Sequence, residues 1–334
     1  VNPEYYTLYG ALGSPYSMKM RAVLRYRRLP HRWRHGTEAQ SAQGKVKAPV
    51  IPILEYPDGH FANDSTPLIY DLERRHRDRS IVPPDPARAF LAHLIEDFAD
   101  EWLTKAMFGY RWLREVDQVQ VSRWLAFDRM TGGGIVQSQA AAEIFRARQV
   151  GRMEIVGCTE ANFPLIEAST RAVLAALEAH VTDRHCLFGT RPSLAEFGLY
   201  GQVSQLGADP TPEAMLRRDY PYVLRWLLHI DDMSGIEGDW DAPEAPLAPA
   251  ATALLAVIGS VYSPFLLGNA AALAAGAESF EFDAMGHRYR QGTFKYQAKC
   301  LADLRARFES LPAGARGWLT PLLAAAGCMD LVAS

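Results

Sequence analysis

The chain has 334 residues, with 35 Lys+Arg against 38 Asp+Glu, a formal net charge of -3, and 49% hydrophobic against 22% charged residues. This is the profile of a folded globular protein long enough for two domains and an appendage, and its near-neutral balance excludes the basic stripe of a dedicated nucleic-acid binder. Four Cys, none spaced as Cys-x-x-Cys, exclude a disulfide framework and fit a reducing, cytoplasmic setting; the opening residues lack the basic-then-apolar pattern of a signal peptide.

Residues 5–9 read as a short strand, followed by a turn over residues 10–13. A helix begins at Ser14, with Tyr16, Met20, Val23 and Leu24 on one face. A short strand is expected at residues 31–35, a weakly patterned helix at 37–47 and a strand at 50–55 interrupted by Pro52. Tyr56-Pro57-Asp58-Gly59 is a turn by composition, residues 60–62 return as a hairpin partner, and a third helix starts at Asp64 with Leu68, Ile69 and Leu72 inward. The order is β-α-β-α-β-β-α, an α/β domain over residues 1–82. The run of Arg21, Arg25, Arg27, Arg28, Arg32 and Arg34 reads as a solvated basic face.

The proline-rich 83–87 is a linker. Beyond it the signals are helical only. Leu91, Leu94, Ile95, Phe98 and Trp102 form one long stripe, and Ile166, Thr170, Val173, Leu174, Leu177 and Val181 another. Thr131-Gly132-Gly133-Gly134 lacks the Gly-Lys-Ser/Thr ending of a phosphate loop and reads as a flexible connection. Between Glu244 and Glu278 no charged residue occurs, a gap wide enough for a spanning helix. Its prolines instead predict two short, buried helices around a turn at Ser263-Pro264, with no transmembrane span. Residues 280–283 alternate like a strand, and Leu301, Leu304 and Phe308 make a last helical stripe.

Three places could carry chemistry. Ser14-Pro15-Tyr16-Ser17 lies where a strand gives way to a helix. Ser14 suits an N-cap, with Pro15 at the favoured first position, and a helix N-terminus also stabilises an anion. A thioredoxin-type fold keeps its Cys-x-x-Cys pair there; with hydroxyls in both places, disulfide exchange is excluded and donation of a hydrogen bond to another molecule's thiolate remains. Pro52, inside an apolar strand, marks an edge, a bulge or a cis bond. Asp64-Ser65 suits either helix capping or the ammonium and carboxylate of an amino-acid-like ligand.

In this order, a hydroxyl at the first helix, a proline-led third strand and an acidic-Ser pair twelve residues later resemble the glutathione transferase superfamily. Phe188-Gly189-Thr190-Arg191-Pro192-Ser193-Leu194-Ala195-Glu196-Phe197 resembles the capped helix at the centre of that family's helical domain, with Ser193 and Glu196 at capping-box spacing. The family more often has Asp where Glu196 stands. The resemblance implies a thioredoxin-like glutathione-binding domain (1–82), a linker (83–87) and an all-helical acceptor-binding domain (88–236). Residues 237–334 fall outside it and are expected to form a mainly helical extension that packs on the helical domain and narrows the acceptor pocket.

The resemblance further implies an enzyme, of the detoxification type, that binds glutathione as co-substrate and adds its thiolate to a small hydrophobic electrophile. It needs no metal and is expected to be a homodimer. Ile51 would bind the cysteinyl part through its backbone, next to a cis Pro52, while Asp64 and Ser65 would hold the γ-glutamyl end. Ser14 would face the thiol, with Tyr9 and Ser17 as rivals. The basic or amide residue that often grips the glycine carboxylate is missing at Ala48-Pro49-Val50, leaving Lys45 or Lys47 as substitutes. Trp102, Phe108, Tyr110 and Trp112 are candidates for the acceptor pocket. The alternative is a non-catalytic member of the same fold that serves as a binding module for a protein or membrane partner.

Overall fold

The computed structural model describes residues 5–130 and 133–333; Thr131 and Gly132 of the expected glycine-rich connection lie outside them. Strand β1 (Tyr6–Tyr9) leads through a turn to α1 (Pro15–Tyr26), then β2 (His31–Arg34) and a short α2 (Thr37–Ala42). β3 (Ile53–Glu55), β4 (Phe61–Asn63) and α3 (Ser65–Arg75) complete a four-stranded sheet of order β2-β1-β3-β4. β1 runs parallel to β2 and antiparallel to β3, which is antiparallel to β4. This is a thioredoxin-like domain. The second helix ends at Ala42 and passes through a single 3-10 turn (Gln43–Lys45), short of the expected Lys47, because only Ala39 and Ala42 are buried on it.

The helical domain follows directly. α4 (Pro86–Phe98) is capped by Asp85, whose carboxylate accepts from the Arg88 N–H at 2.9 Å. A π turn (Ala99–Leu103) joins it to α5 (Thr104–Trp112). α6 (Glu115–Arg129), α7 (Gly134–Val150), α8 (Phe163–Val181), α9 (Leu194–Leu206), α10 (Pro210–Asp219) and α11 (Pro221–Asp231) follow. The capping box holds: Glu196 accepts from the Ser193 N–H and Oγ, both at 2.6 Å, and from the Leu187 N–H at 2.7 Å. α9 is buried nearly all round and packs on α1, where a Cβ at Gly201 would lie 2.8 Å from the Pro15 carbonyl. Glycine is required by that approach.

The basic face of α1 is not simply solvated. Arg21 and Arg25 both donate to Asp231 at the end of α11 (3.0 and 2.7 Å), and Arg27 pairs with Glu73 at 2.8 Å. Much of that charge joins α1 to its neighbours.

Residues 249–274 correct the sequence reading. There is no turn at Ser263-Pro264: α12 (Pro249–Val257), a π turn (Ile258–Tyr262) and α13 (Ser263–Ala274) form one continuous helix. The π turn ends where Pro264, which has no N–H to donate, enters, so the proline is absorbed and the helix continues. It is long and apolar enough to cross a membrane, yet 61% of its most apolar window is buried inside the protein. Beyond it β5 (Ser279–Ala284) pairs with β6 (His287–Gly292) across Met285-Gly286, both at positive φ (49° and 78°). α14 (Lys295–Ser310), α15 (Ala313–Ala325) and α16 (Met329–Val332) close the chain.

Candidate functional site

One row of the sheet organises the site. Tyr9 opposes Ile53, and Ile53 opposes Asn63. The outgoing end of β1, the incoming end of β3 and the outgoing end of β4 therefore meet at one edge. The segments just beyond that row carry Ser14, Ile51-Pro52 and Asp64-Ser65.

Ser14 is the N-cap of α1: its Oγ accepts from the Ser17 N–H at 3.3 Å. The hydroxyl proton is left free to donate, beside a helix end that favours negative charge. The loop before it is held by the helical domain, since Arg111 Nη1 donates to the Gly13 carbonyl (2.9 Å) and Gln205 Nε2 to that of Leu12 (3.1 Å). Arg111 is itself fixed by Asp209 at 2.7 Å. Tyr9 and Ser17 are placed differently. The Tyr9 phenol donates to Glu55 at 2.8 Å, and burial followed by Glu55 pushes its pKa up to about 12. Ser17 is fully buried, and its Oγ has no hydrogen-bond partner among the described residues.

The Ile51-Pro52 peptide bond is cis. Among the described residues no hydrogen bond reaches the Ile51 backbone N–H or C=O. β3 starts only at Ile53, so the expected strand over residues 50–52 is replaced by a stretch outside the sheet ladder, braced by Asn63 Nδ2, which donates to the Ala48 carbonyl at 2.7 Å and to that of Val50 at 3.3 Å. Lys45 and Lys47 are both exposed nearby, with Lys45 Nζ 4.3 Å above the Phe61 ring.

Asp64 begins α3 at φ 77° and makes no side-chain cap. Its carboxylate accepts from the Tyr296 hydroxyl of α14 at 3.1 Å. Burial raises its pKa, opposed by Tyr296 and Lys19. Ser65 is buried, and its Oγ accepts from Lys19 Nζ at 3.2 Å. Lys19 also pairs with Glu96 and, at 2.6 Å, with Asp100. Burial alone would lower its pKa, but the two carboxylates outweigh burial and raise it. Burial pushes Asp100 up to about 7 despite Lys19.

The sequence reading missed Lys19 and Tyr296. Lys19 had a signal, a charged residue three positions after Tyr16 on the inward face of α1; Tyr296 had none. Of the proposed pocket aromatics, Trp102 is 1% exposed and donates to Ser169 Oγ at 2.9 Å, Tyr110 and Trp112 are buried, and Phe108 lines a cavity of about 200 Å³ beside Tyr16. A second cavity of about 350 Å³ lies between α3, α4 and α14, and is lined by Thr66, Asp97, Asp100, Tyr296 and Lys299 among others. Cys186 and the three other cysteines are free and buried. Among the described residues no group of His, Cys, Asp and Glu side chains is arranged to hold a metal ion.

A thioredoxin-like domain followed by an all-helical domain, with a hydroxyl-capped helix, a cis proline and an acidic-Ser pair at one sheet edge, defines a class of protein. Residues 8–80 match the family model for the glutathione S-transferase N-terminal domain, and residues 142–229 that for the glutathione S-transferase C-terminal domain. Both matched regions belong to the glutathione transferase superfamily. No curated protein sequence matches it.

Solved structures similar to it include a glutathione S-transferase from Methylobacterium radiotolerans in complex with glutathione sulfonate. That likeness has 19% identity over 72% of this chain and 98% of that one, with a TM-score of 0.42. A glutathione S-transferase from Rhodospirillum rubrum has 18% identity over 75% and 91%, with a TM-score of 0.43. A beta-etherase from Sphingobium sp. strain SYK-6 has 16% identity over 75% and 98%, with a TM-score of 0.45.

Proposed function

We propose that the protein is a glutathione-dependent enzyme that binds glutathione along the sheet edge, holds its sulfur as the thiolate and transfers it to an electrophilic acceptor. The observation that carries this reading is the unpaired Ile51 backbone beside the cis peptide, in line with the N-termini of α1 and α3. An extended peptide laid there finds main-chain partners at Ile51. Its amino-acid end falls toward Asp64 and Ser65, and its sulfur toward Ser14. A free thiol has a pKa of about 8.5, so at neutral pH most of it is protonated. The Ser14 O–H and the end of α1 favour the thiolate, and each unit of lowering is about 1.4 kcal/mol.

A second reading has one observation in its favour. Asp64 and Ser65 are already engaged by Tyr296 and Lys19, as they would be in a non-catalytic binding module. Titration calorimetry with glutathione separates the two. The enzyme reading expects binding that Asp64→Ala weakens about tenfold or more, the loss of a charge-assisted contact. No heat up to millimolar glutathione would overturn it.

A further inference from the structure

Two lysines are buried in this protein, and they are treated differently. Lys19 is surrounded by carboxylates. Lys105, on α5, is 4% exposed, and its Nζ donates only to neutral oxygens: the Val156 carbonyl at 3.0 Å and Gln291 Oε1 at 2.7 Å. Among the described residues it forms no ion pair. Its remaining surroundings include the Phe265 ring at 4.7 Å. A buried ammonium without a counter-charge is costly, and buried Arg111 does not bear that cost because Asp209 pairs with it.

Lys105 also lines the cavity of about 200 Å³ where α1, α5 and the extension meet, together with Tyr16, Glu101, Phe108, Phe294 and Gln297. Tyr16 belongs to the first turn of α1, the helix that Ser14 caps, and its hydroxyl donates to the Asp100 carbonyl at 2.9 Å. Phe108, Ile155 and Phe294 supply apolar wall. A cavity of about 150 Å³ holds benzene, so this one accommodates a single substituted ring. Glu101, on the same wall, attracts Lys105 without forming an ion pair with it among the described residues: it accepts from Gln297 Nε2 at 3.1 Å, and burial pushes its pKa up to about 7.

We propose that this cavity takes a small apolar carboxylate of about one aromatic ring, its anionic group pairing with Lys105 Nζ and its ring lying against Phe108 and Phe294. The site deepens the proposed function by naming the acceptor class, and its catalytic meaning rests on that reading; the binding itself does not.

The test is calorimetric titration of the full chain, without glutathione, with benzoate and with its neutral analogue benzamide. Benzoate is expected to bind about tenfold tighter than benzamide, the scale of a charge-assisted contact. Lys105→Met is expected to erase that preference. Because Lys105→Met takes a donor from the Val156 carbonyl and leaves Gln291 Oε1 only the Tyr289 hydroxyl, Phe294→Asp at the exposed rim is the second variant, expected to weaken both probes through the lost ring contact and benzoate by more than benzamide. Equal affinity for the two probes, no binding of either, or a preference that survives both substitutions would overturn the proposal. Glutathione titrated into the same samples keeps the two readings apart. Benzoate binding without glutathione binding upholds the carboxylate site and sinks the thiol reading, and the converse sinks the carboxylate site alone.

Discussion

Asp97, Asp100 and Glu101 lie along one stretch of α4 and its π turn, and burial pushes each up to about 7. Between their unfolded values near 4 and about pH 7 the folded chain holds protons that the unfolded chain has released. Their contribution to stability is therefore complete in acid and is lost as pH rises through about 7. Asp97→Asn keeps an oxygen for the Tyr262 hydroxyl, which now donates to Asp97 at 2.6 Å. It is expected to raise stability at pH 8 by about 1 kcal/mol, discounted for partial solvent contact, and to flatten the dependence between pH 5 and 8. Thermal melts across that range test it, and an unchanged slope would sink it. Residues whose chemistry is local were legible in the sequence: Ser14 as a cap, Pro52 as a disruption, Asp64-Ser65 at a helix start. Lys105 and Tyr296 were not, because they are defined by partners 186 and 232 positions away, and Lys19 showed only as a charge on the inward face of α1, its partner Glu96 lying 77 positions away.

Elements with a closed local hydrogen-bond scheme were read most accurately. Glu196 satisfies three donors at the start of α9, so Glu196→Ala leaves buried N–H groups unpaired. A loss of about 2–4 kcal/mol is expected in urea melts, and a change under half a kilocalorie or so would mean the loop re-pairs them. The helix from Pro249 to Ala274 was misread because proline was taken as a stop. A π turn immediately before Pro264 supplies what a single-residue rule omits. β6 was missed because Arg288 and Arg290 hide the alternation, although Tyr289 and Gln291 are its buried positions. The sequence shows chemistry at each residue, but it does not show which neighbour covers it.

At the scale of the molecule, the last hundred residues are part of the core. Trp102 packs against Phe265 and Tyr289 at ring separations of 5.4 and 5.3 Å, and Phe90 against Phe308 at 5.5 Å. The tail also pins α4 through Asp303, which accepts from His93 Nε2 at 3.1 Å. A chain ending at Gly235 is expected to aggregate or to lose a cooperative melt, with its tryptophan emission shifted to the red. A soluble truncation that binds glutathione as the full chain does would refute this. Two domains were legible from the order of their motifs; the extension carried no motif, so its place could come only from the apolar surface it covers. The Tyr296–Asp64 contact also has a consequence in time. A nascent chain emerges from the ribosome N-terminus first, at about 5–20 residues per second, so Asp64 waits roughly 10–50 s for the residue that completes its surroundings. During that interval the Asp64 carboxylate lacks its Tyr296 partner, so the first domain must hold the start of α3 without it.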